Sequence, residues 1–300
     1  MRFMAGISIL WQELRLFLLH ENSNPVYNIM KRMIQRSALG FATAAALSTT
    51  AGAAITSIPV SGWTHDLVIN GSGPYNTSIT NSMDNETGIE NWTWVEEGNY
   101  LFQAETTPSF FEGLVAGTHT SIGPSGAEFT FQDFSGLNAL RLSATQSSTL
   151  TLTTTSAYST LVFIGAAGNG SSAAIQVTLN FADSTTAVFN STEGISRDWF
   201  DGTSTESAYL VGGRASNRSE DSYSALFRDT NSAIRLHEYQ IFLSEADQGK
   251  ELTSITLSNT GSGGRIAVFA VSGEAIPEPS TAGLVALCGL FGLGHRRRRR

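Results

Sequence analysis

The amino-acid sequence predicts an all-β body, and three observations carry the prediction. Across 54–273 no convincing amphipathic helical pattern occurs; short runs alternate apolar and polar residues; and clusters of Gly, Asn, Ser and Asp separate those runs. A period of two places one set of side chains on a buried face and the other on a wet face, which is the pattern of a strand.

The candidate strands, taken in chain order, begin at 65–70, followed by 128–131 and 139–144. Leu150 and Leu152 then alternate with threonines, and 160–164 is a short apolar run. The clearest strand has Ile175, Val177, Leu179 and Phe181 alternating with Gln176, Thr178 and Asn180, and 186–190 follows it closely. The run 234–243 ends in the ambiguous segment 239–243, whose neighbours are dominated by Thr, Val and Phe. Ile255 and Leu257 alternate again, and 265–271 closes the series. Roughly ten strands in about 220 residues suit a single sandwich or barrel. Phe102, Phe129, Phe131, Phe134, Phe163, Phe181, Phe189 and Phe269 are the expected inward aromatics. Each is worth roughly 1.5–3 kcal/mol if fully buried.

Composition narrows the function classes. The whole chain has a net charge of −8, but residues 54–276 hold 23 acidic side chains against Lys250 and seven arginines. That segment contains no cysteine, which excludes a disulfide scaffold, a zinc ribbon and thiol chemistry. No basic patch is available to neutralise phosphates, so a nucleic-acid partner is not expected.

The basic residues are concentrated at the two ends. A short basic segment at 30–36 precedes an apolar, Ala-rich stretch at 37–48 and then the small residues Ala51 and Ala53. This is the layout of a secretory signal peptide, with cleavage expected after Ala53 and passage through the Sec export machinery. Residues 1–29 are then an extension or an early start, with Met30 or Met33 the initiator. At the other end, Pro277, Glu278 and Pro279 precede an apolar stretch at 281–294 that contains the lone Cys288, which behaves there as a small hydrophobe. Arg296, Arg297, Arg298, Arg299 and Arg300 close the chain. About fourteen apolar residues reach only about 21 Å at 1.5 Å per residue, short of a ~30 Å hydrocarbon core. The arginine cluster stays on the cytoplasmic side, so the body lies outside.

The order of Pro-Glu-Pro motif, short apolar helix and terminal arginine cluster resembles the PEP-CTERM sorting signal of Gram-negative bacteria. The resemblance covers about 25 residues. It implies recognition by an exosortase, transient anchoring in the inner membrane, processing near Pro277, Glu278 and Pro279, and a destination at the cell surface or in an exopolysaccharide or biofilm matrix. The domain plan is therefore an extension at 1–29, a signal peptide at 30–53, an ectodomain at 54–275 and a sorting tail at 276–300.

The body carries its own, more diffuse resemblance. His65-Asp66-Leu67-Val68-Ile69, Trp92-Thr93-Trp94-Val95-Glu96-Glu97-Gly98, Phe181-Ala182-Asp183-Ser184-Thr185-Thr186, Asp198-Trp199-Phe200 and Ile266-Ala267-Val268-Phe269-Ala270 together resemble a galactose-binding-like jelly roll of secreted bacterial proteins. That likeness implies a two-sheet jelly-roll sandwich of the kind used by many carbohydrate-binding modules. One departure is Ser184, which stands where the resemblance leads one to expect the glycine of an Asp-Gly primed turn, so a different turn or a shifted register is expected there.

The body shows little catalytic chemistry. No G-x-S-x-G elbow is present, and Gly123-Pro124-Ser125-Gly126 reads as a turn. His65, His119 and His237 lack metal-site spacing, and His237 is expected at or partly beneath the surface. Carboxylates such as Glu96, Glu97, Glu105, Glu112, Asp198, Asp201, Glu220 and Asp221 are abundant, but no pair stands out as a glycoside-hydrolase couple. A structural Ca²⁺ near Asp183, Asp198 and Asp201 is the better ionic expectation, without a D-x-D-x-D-G loop to name its ligands. Trp92 and Trp94, two apart on one strand face, offer either a sugar-stacking platform or core packing, and Trp199 is expected inside. Arg214 and Arg218 are read as loop residues able to supply polar contacts beside such a platform. Seven Asn-x-Ser/Thr triplets, at Asn70, Asn76, Asn85, Asn91, Asn169, Asn190 and Asn217, follow from the Ser, Thr and Asn content. The expected function is that of a non-enzymatic exported protein associated with an exopolysaccharide or biofilm matrix, with Trp92, Trp94, Arg214 and Arg218 the candidate contacts if it binds glycan. The alternatives are a matrix or adhesion protein without a small ligand, and a secreted polysaccharide hydrolase.

Overall fold

The computed structural model describes residues 53–71, 82–86, 89–170, 173–216 and 226–277. The extension, the signal peptide up to Gly52, Arg218, and the tail from Glu278 through the arginine cluster lie outside these residues.

The chain is all-β. The described strands begin with β1 (Ile55–Ser57), β2 (Val60–Ser61), β3 (Val68–Ile69), β4 (Asp84–Glu86) and β5 (Ile89–Val95). Next come β6 (Gly98–Tyr100), β7 (Ser109–Phe111), β8 (Gly117–Thr120), β9 (Glu128–Phe131) and β10 (Leu140–Ser143). The long strands follow: β11 (Ser147–Ser156), β12 (Tyr158–Gly168), β13 (Ile175–Phe181) and β14 (Thr186–Ser191). The series ends with β15 (Ser207–Leu210), β16 (Gly213–Ser216), β17 (Phe227–Thr230), β18 (Arg235–Phe242), β19 (Leu252–Asn259) and β20 (Arg265–Ala275). One 3₁₀ turn, Gly194–Ser196, sits between β14 and β15.

Two sheets form a sandwich. A central sheet runs β1-β20-β12-β18-β15, with β10 also on β20, and an outer sheet runs β14-β13-β19-β11-β2. All pairs within these two sheets are antiparallel. Between them, Leu161, Phe163 and Val268 of the central sheet pack against Leu150, Val177, Leu179, Ile255 and Leu257 of the outer sheet. The opposite side of the central sheet is also covered. Val162, Ile164 and Phe269 meet Trp92, Trp94, Phe129, Phe131 and Phe134, contributed by β5, by β9 and by the segment after β9. A third sheet, β17-β16-β5-β3, and the β8–β9 hairpin thus make a further layer.

This arrangement explains where period two holds and where it fails. The outer sheet keeps one wet face, so β13 and β14 alternate strictly in burial. The middle of the central sheet has no wet face, so β12 and β20 read as nearly continuous apolar runs, as strands covered on both sides do. The run 65–70 contributes only the two residues of β3 and a bridge from His65 to Ala139. At Gly165 the β12–β20 register shifts, and a Cβ there would lie 2.1 Å from the Ala267 carbonyl oxygen, so only glycine permits that approach.

The β13–β14 hairpin resolves the departure at Ser184. The Ser184 N–H donates to the Phe181 carbonyl at 3.0 Å, the Phe181 N–H donates to the Thr185 carbonyl at 3.0 Å, and Ser184 has φ 66°. This is a three-residue loop with a left-handed bulge residue, not a primed two-residue turn. Of the expected inward aromatics, Phe102, Phe129, Phe131, Phe134, Phe163, Phe181 and Phe269 are buried, while Phe189 packs half-buried on the edge strand β14.

Register also orders the outward side of the outer sheet. Ser147, Ser258, Gln176 and Asn190 lie in one row across β11, β19, β13 and β14. Thr149, Thr256, Thr178 and Val188 form the next row, and Thr151, Ser254, Asn180 and Thr186 the third, which Ser61 of β2 extends.

Candidate functional site

Among the described residues, a recess opens where the central sheet loses a strand. β15 pairs with β18 only over Arg235–His237, and the Glu238 N–H donates to the Glu206 carbonyl at 2.8 Å just beyond that pairing. Past this point the edge of β18 faces a space of about 240 Å³, lined by Pro124, Ser191, Glu193, Glu206, Glu238, Tyr239 and Gln240. The 3₁₀ turn closes one side. Gly194 has φ 58°, and a Cβ there would stand 2.6 Å from the Glu238 carbonyl oxygen, so the turn can approach β18 only through glycine.

Each carboxylate around the recess already has protein donors. Glu206 Oε2 accepts from the Gly194 N–H at 2.8 Å and from Arg197 Nε at 3.1 Å. Arg197 also pairs with Glu193 and, at 2.8 Å, with Asp201, and these acidic partners raise its pKa above the usual value against the opposing effect of desolvation. Glu238, only 2% exposed, accepts from Ser121 Oγ at 2.5 Å, the Ser125 N–H at 2.7 Å and Ser125 Oγ at 2.6 Å. The Gly126 N–H closes a turn onto the Gly123 carbonyl at 3.2 Å, so Gly123-Pro124-Ser125-Gly126 is the turn its sequence suggests, held down by a carboxylate on β18. The recess therefore offers acceptor oxygens and one bound guanidinium, a chemistry suited to hydroxyl donors.

Arg214 is not a loop residue. It lies within β16, its side chain 5% exposed, and pairs with Asp84 at 3.2 Å and Asp229 at 3.0 Å. Its guanidinium sits 4.4 Å from the Trp92 ring centroid and 4.5 Å from that of Phe200, a cation–π enclosure that ties β16 to β5 and to the loop before β15. Trp92 and Trp94 share the same apolar cluster, at 4% and 0% exposure, so neither ring faces solvent. Trp94 meets Trp199 edge-on at 4.7 Å and Phe269 at 5.0 Å, and Trp199 is fully buried.

The aspartates named for Ca²⁺ are occupied locally. Asp183 accepts from the Thr185 N–H and hydroxyl in the β13–β14 turn, which holds its carboxyl below the usual range. Asp198 accepts from the Phe200 N–H at 2.9 Å, while burial pushes its carboxyl up. Asp201 accepts from the Thr203 N–H and hydroxyl as well as from Arg197. Among the described residues no group of three or more His, Cys, Asp or Glu side chains is placed to hold a metal ion.

His237, expected near the surface, is fully buried in β18. The strand lies between β12 and β15, so outward-looking neighbours in the sequence do not expose it. Its Nε2 lies 3.1 Å from the Asp198 carbonyl oxygen, and burial keeps its pKa below the ordinary value. Glu238 was not singled out from the sequence, because its partners Ser121 and Ser125 are more than a hundred residues away.

No protein-family model matches this chain, and no curated protein matches it.

Proposed function

We propose that the chain is an exported, non-enzymatic surface protein, delivered by an exosortase system and resident in an exopolysaccharide or biofilm matrix. The observation that carries this reading is the succession of Pro277, Glu278 and Pro279, a short apolar stretch and five terminal arginines. The body's geometry is compatible with removal of that tail. β20 ends at Ala275, the Ile276 N–H donates to the Ala157 carbonyl at 2.9 Å, and Pro277 is exposed. Processing at the motif would break none of the described hydrogen bonds of the sandwich. At the other end, β1 starts two residues after Ala53 and pairs with β20, so both proposed processing points flank one edge of the central sheet.

In this reading the sandwich is a jelly roll of the galactose-binding-like kind. Its support is the antiparallel order of the two large sheets, in which sequence-distant strands lie side by side. The burial of Trp92, Trp94 and Arg214 favours a second reading, a matrix or adhesion protein without a small-molecule site.

The test is expression of Met30–Arg300 in a host with its own exosortase, followed by intact-mass measurement of the secreted product. The expected mass corresponds to a chain beginning near Ala54 and ending near Pro277–Pro279. A product in the membrane fraction that keeps Arg296–Arg300 would overturn the sorting reading.

A further inference from the structure

The outward side of the outer sheet combines three properties. Every position in its three rows except Val188 carries a hydroxyl or a carboxamide, and none carries a charge. The side chains are also linked laterally. Ser147 and Ser258 hydroxyls lie 2.7 Å apart, those of Thr149 and Thr256 3.0 Å, and Gln176 Nε2 donates to Asn190 Oδ1 at 3.0 Å. Finally, the array is open to solvent, with the outward residues of β11 and β14 exposed and those of β13 and β19 half-buried between their neighbours.

We propose that this face is a docking surface for an uncharged, hydroxyl-rich polysaccharide. The proposal rests on the matrix reading above and gives it a surface and a ligand class.

Charge selects the occupant. The body holds 23 acidic against eight basic side chains, yet this face has none, so a neutral polymer meets donors and acceptors there without electrostatic cost. An anionic polymer would be repelled by the surrounding body, and a cationic one would be drawn to the acids elsewhere. Protein partners favour interfaces with aromatic, Met and Arg anchors and little Ser, and this face has no aromatic side chain. Sugar hydroxyls match it. Each side-chain hydroxyl engaged with one neighbour keeps capacity for another bond, and the threonine methyls and Val188 supply apolar contact for sugar C–H groups.

Preorganisation favours binding as well. Lateral hydrogen bonds and the stiff χ1 of threonine fix the side chains before the ligand arrives, which reduces the ordering cost. Adjacent strands rotate by roughly 20–25°, so the rows turn across the four strands and suit flexible chains better than a crystal plane.

The test uses the full chain in mild detergent, co-sedimented with particles of amorphous cellulose or β-1,3-glucan, with calcium alginate as the anionic control. Wild type is expected to sediment with a neutral glucan and not with alginate. The T178E/T256E variant places two charges at the centre of the array and is expected to lose at least about tenfold in affinity. Val188→Glu, at a position 52% exposed on the edge strand, is the second variant and is expected to weaken retention without disturbing the fold. Equal retention of wild type and both variants, or no retention of wild type on either glucan, overturns the proposal. A wild-type dimer that disperses with V188E, combined with no retention, makes the occupant a second copy and also overturns it. Correct tail processing without retention refutes the face alone. Retention by an unprocessed, membrane-held chain refutes the sorting reading alone.

Discussion

Replacing Glu238 by alanine removes the acceptor for the Ser121 hydroxyl, the Ser125 N–H and the Ser125 hydroxyl at once. Ser121 is 5% exposed, so its O–H is left without an acceptor although its oxygen still accepts from the Gly123 N–H at 3.0 Å, while the half-buried Ser125 groups can turn to water. An unsatisfied buried donor costs about 1–3 kcal/mol and a lost bond to a charged group about 1.5–3 kcal/mol, which together, less the desolvation relieved, give about 2–4 kcal/mol. For a body of this size that is a fall of about 5–15 °C in Tm. Gly123 tests the same contact from the other side. A Cβ on it would lie 2.6 Å from Glu238 Cδ, so G123A should cost about 1–3 kcal/mol by forcing the carboxylate aside. With the carboxylate gone that clash disappears. The G123A/E238A double variant should therefore be more stable than the sum of the single losses by about 1 kcal/mol or more. Urea unfolding followed by tryptophan fluorescence measures all three variants. Additivity within about 0.5 kcal/mol, or an E238A loss below that value, would refute the anchoring role.

Two further outcomes follow from local geometry. Ser184→Gly should stabilise the body by about 0.5–1 kcal/mol, because the left-handed conformation costs an L-residue about 1–2 kcal/mol and glycine's extra chain entropy takes back part of that gain; a lower urea midpoint would show that the serine side chain matters more than its backbone. His237 should make stability fall with acidity: an unfolded histidine titrates near 6.5 and the buried one lower, so its contribution is complete above about pH 6.5 and declines as pH drops from there through the depressed folded value. Asp201, Arg235 and Arg197 also act on this ring, and a stability–pH curve from pH 7.5 to 5 that is just as steep in H237Q would assign the effect to other groups.

The legible parts of the fold were those with one wet face. Strict alternation at 175–181 corresponds to β13, because burial on one side alone writes period two into the sequence, whereas β14 alternates in burial although Ala187, Val188 and Phe189 are consecutive apolar residues. The run 160–164 understated β12, which extends to Gly168, since its alanines and glycines carry no alternation when both faces are covered. The short strands β6, β7, β8, β15, β16 and β17 were not anticipated, being too brief to show a period. Trp92 and Trp94 were correctly set two apart on one strand, but spacing leaves open whether that side meets solvent or a second layer. Arg214 looked like a loop residue beside Gly212 and Gly213, and becomes a buried cation only because Asp84, Asp229 and the rings of Trp92, Trp199 and Phe200 converge on it.

By itself the sequence determined the all-β class, the cysteine-free acidic body, and the motif, apolar stretch and arginine cluster that carry the proposed destination, since these depend on composition and on local order along the chain. Only tertiary structure decided that β12 and β20 of the central sheet are buried on both faces, that Glu238 anchors a turn more than a hundred residues away, and that hydroxyl and carboxamide side chains from five strands fall into register as one uncharged surface. The physical reason is that burial and register are properties of pairs of strands. A side chain's alternation fixes which face it shares with its own neighbours, while the chain that covers or extends that face comes from elsewhere in the sequence.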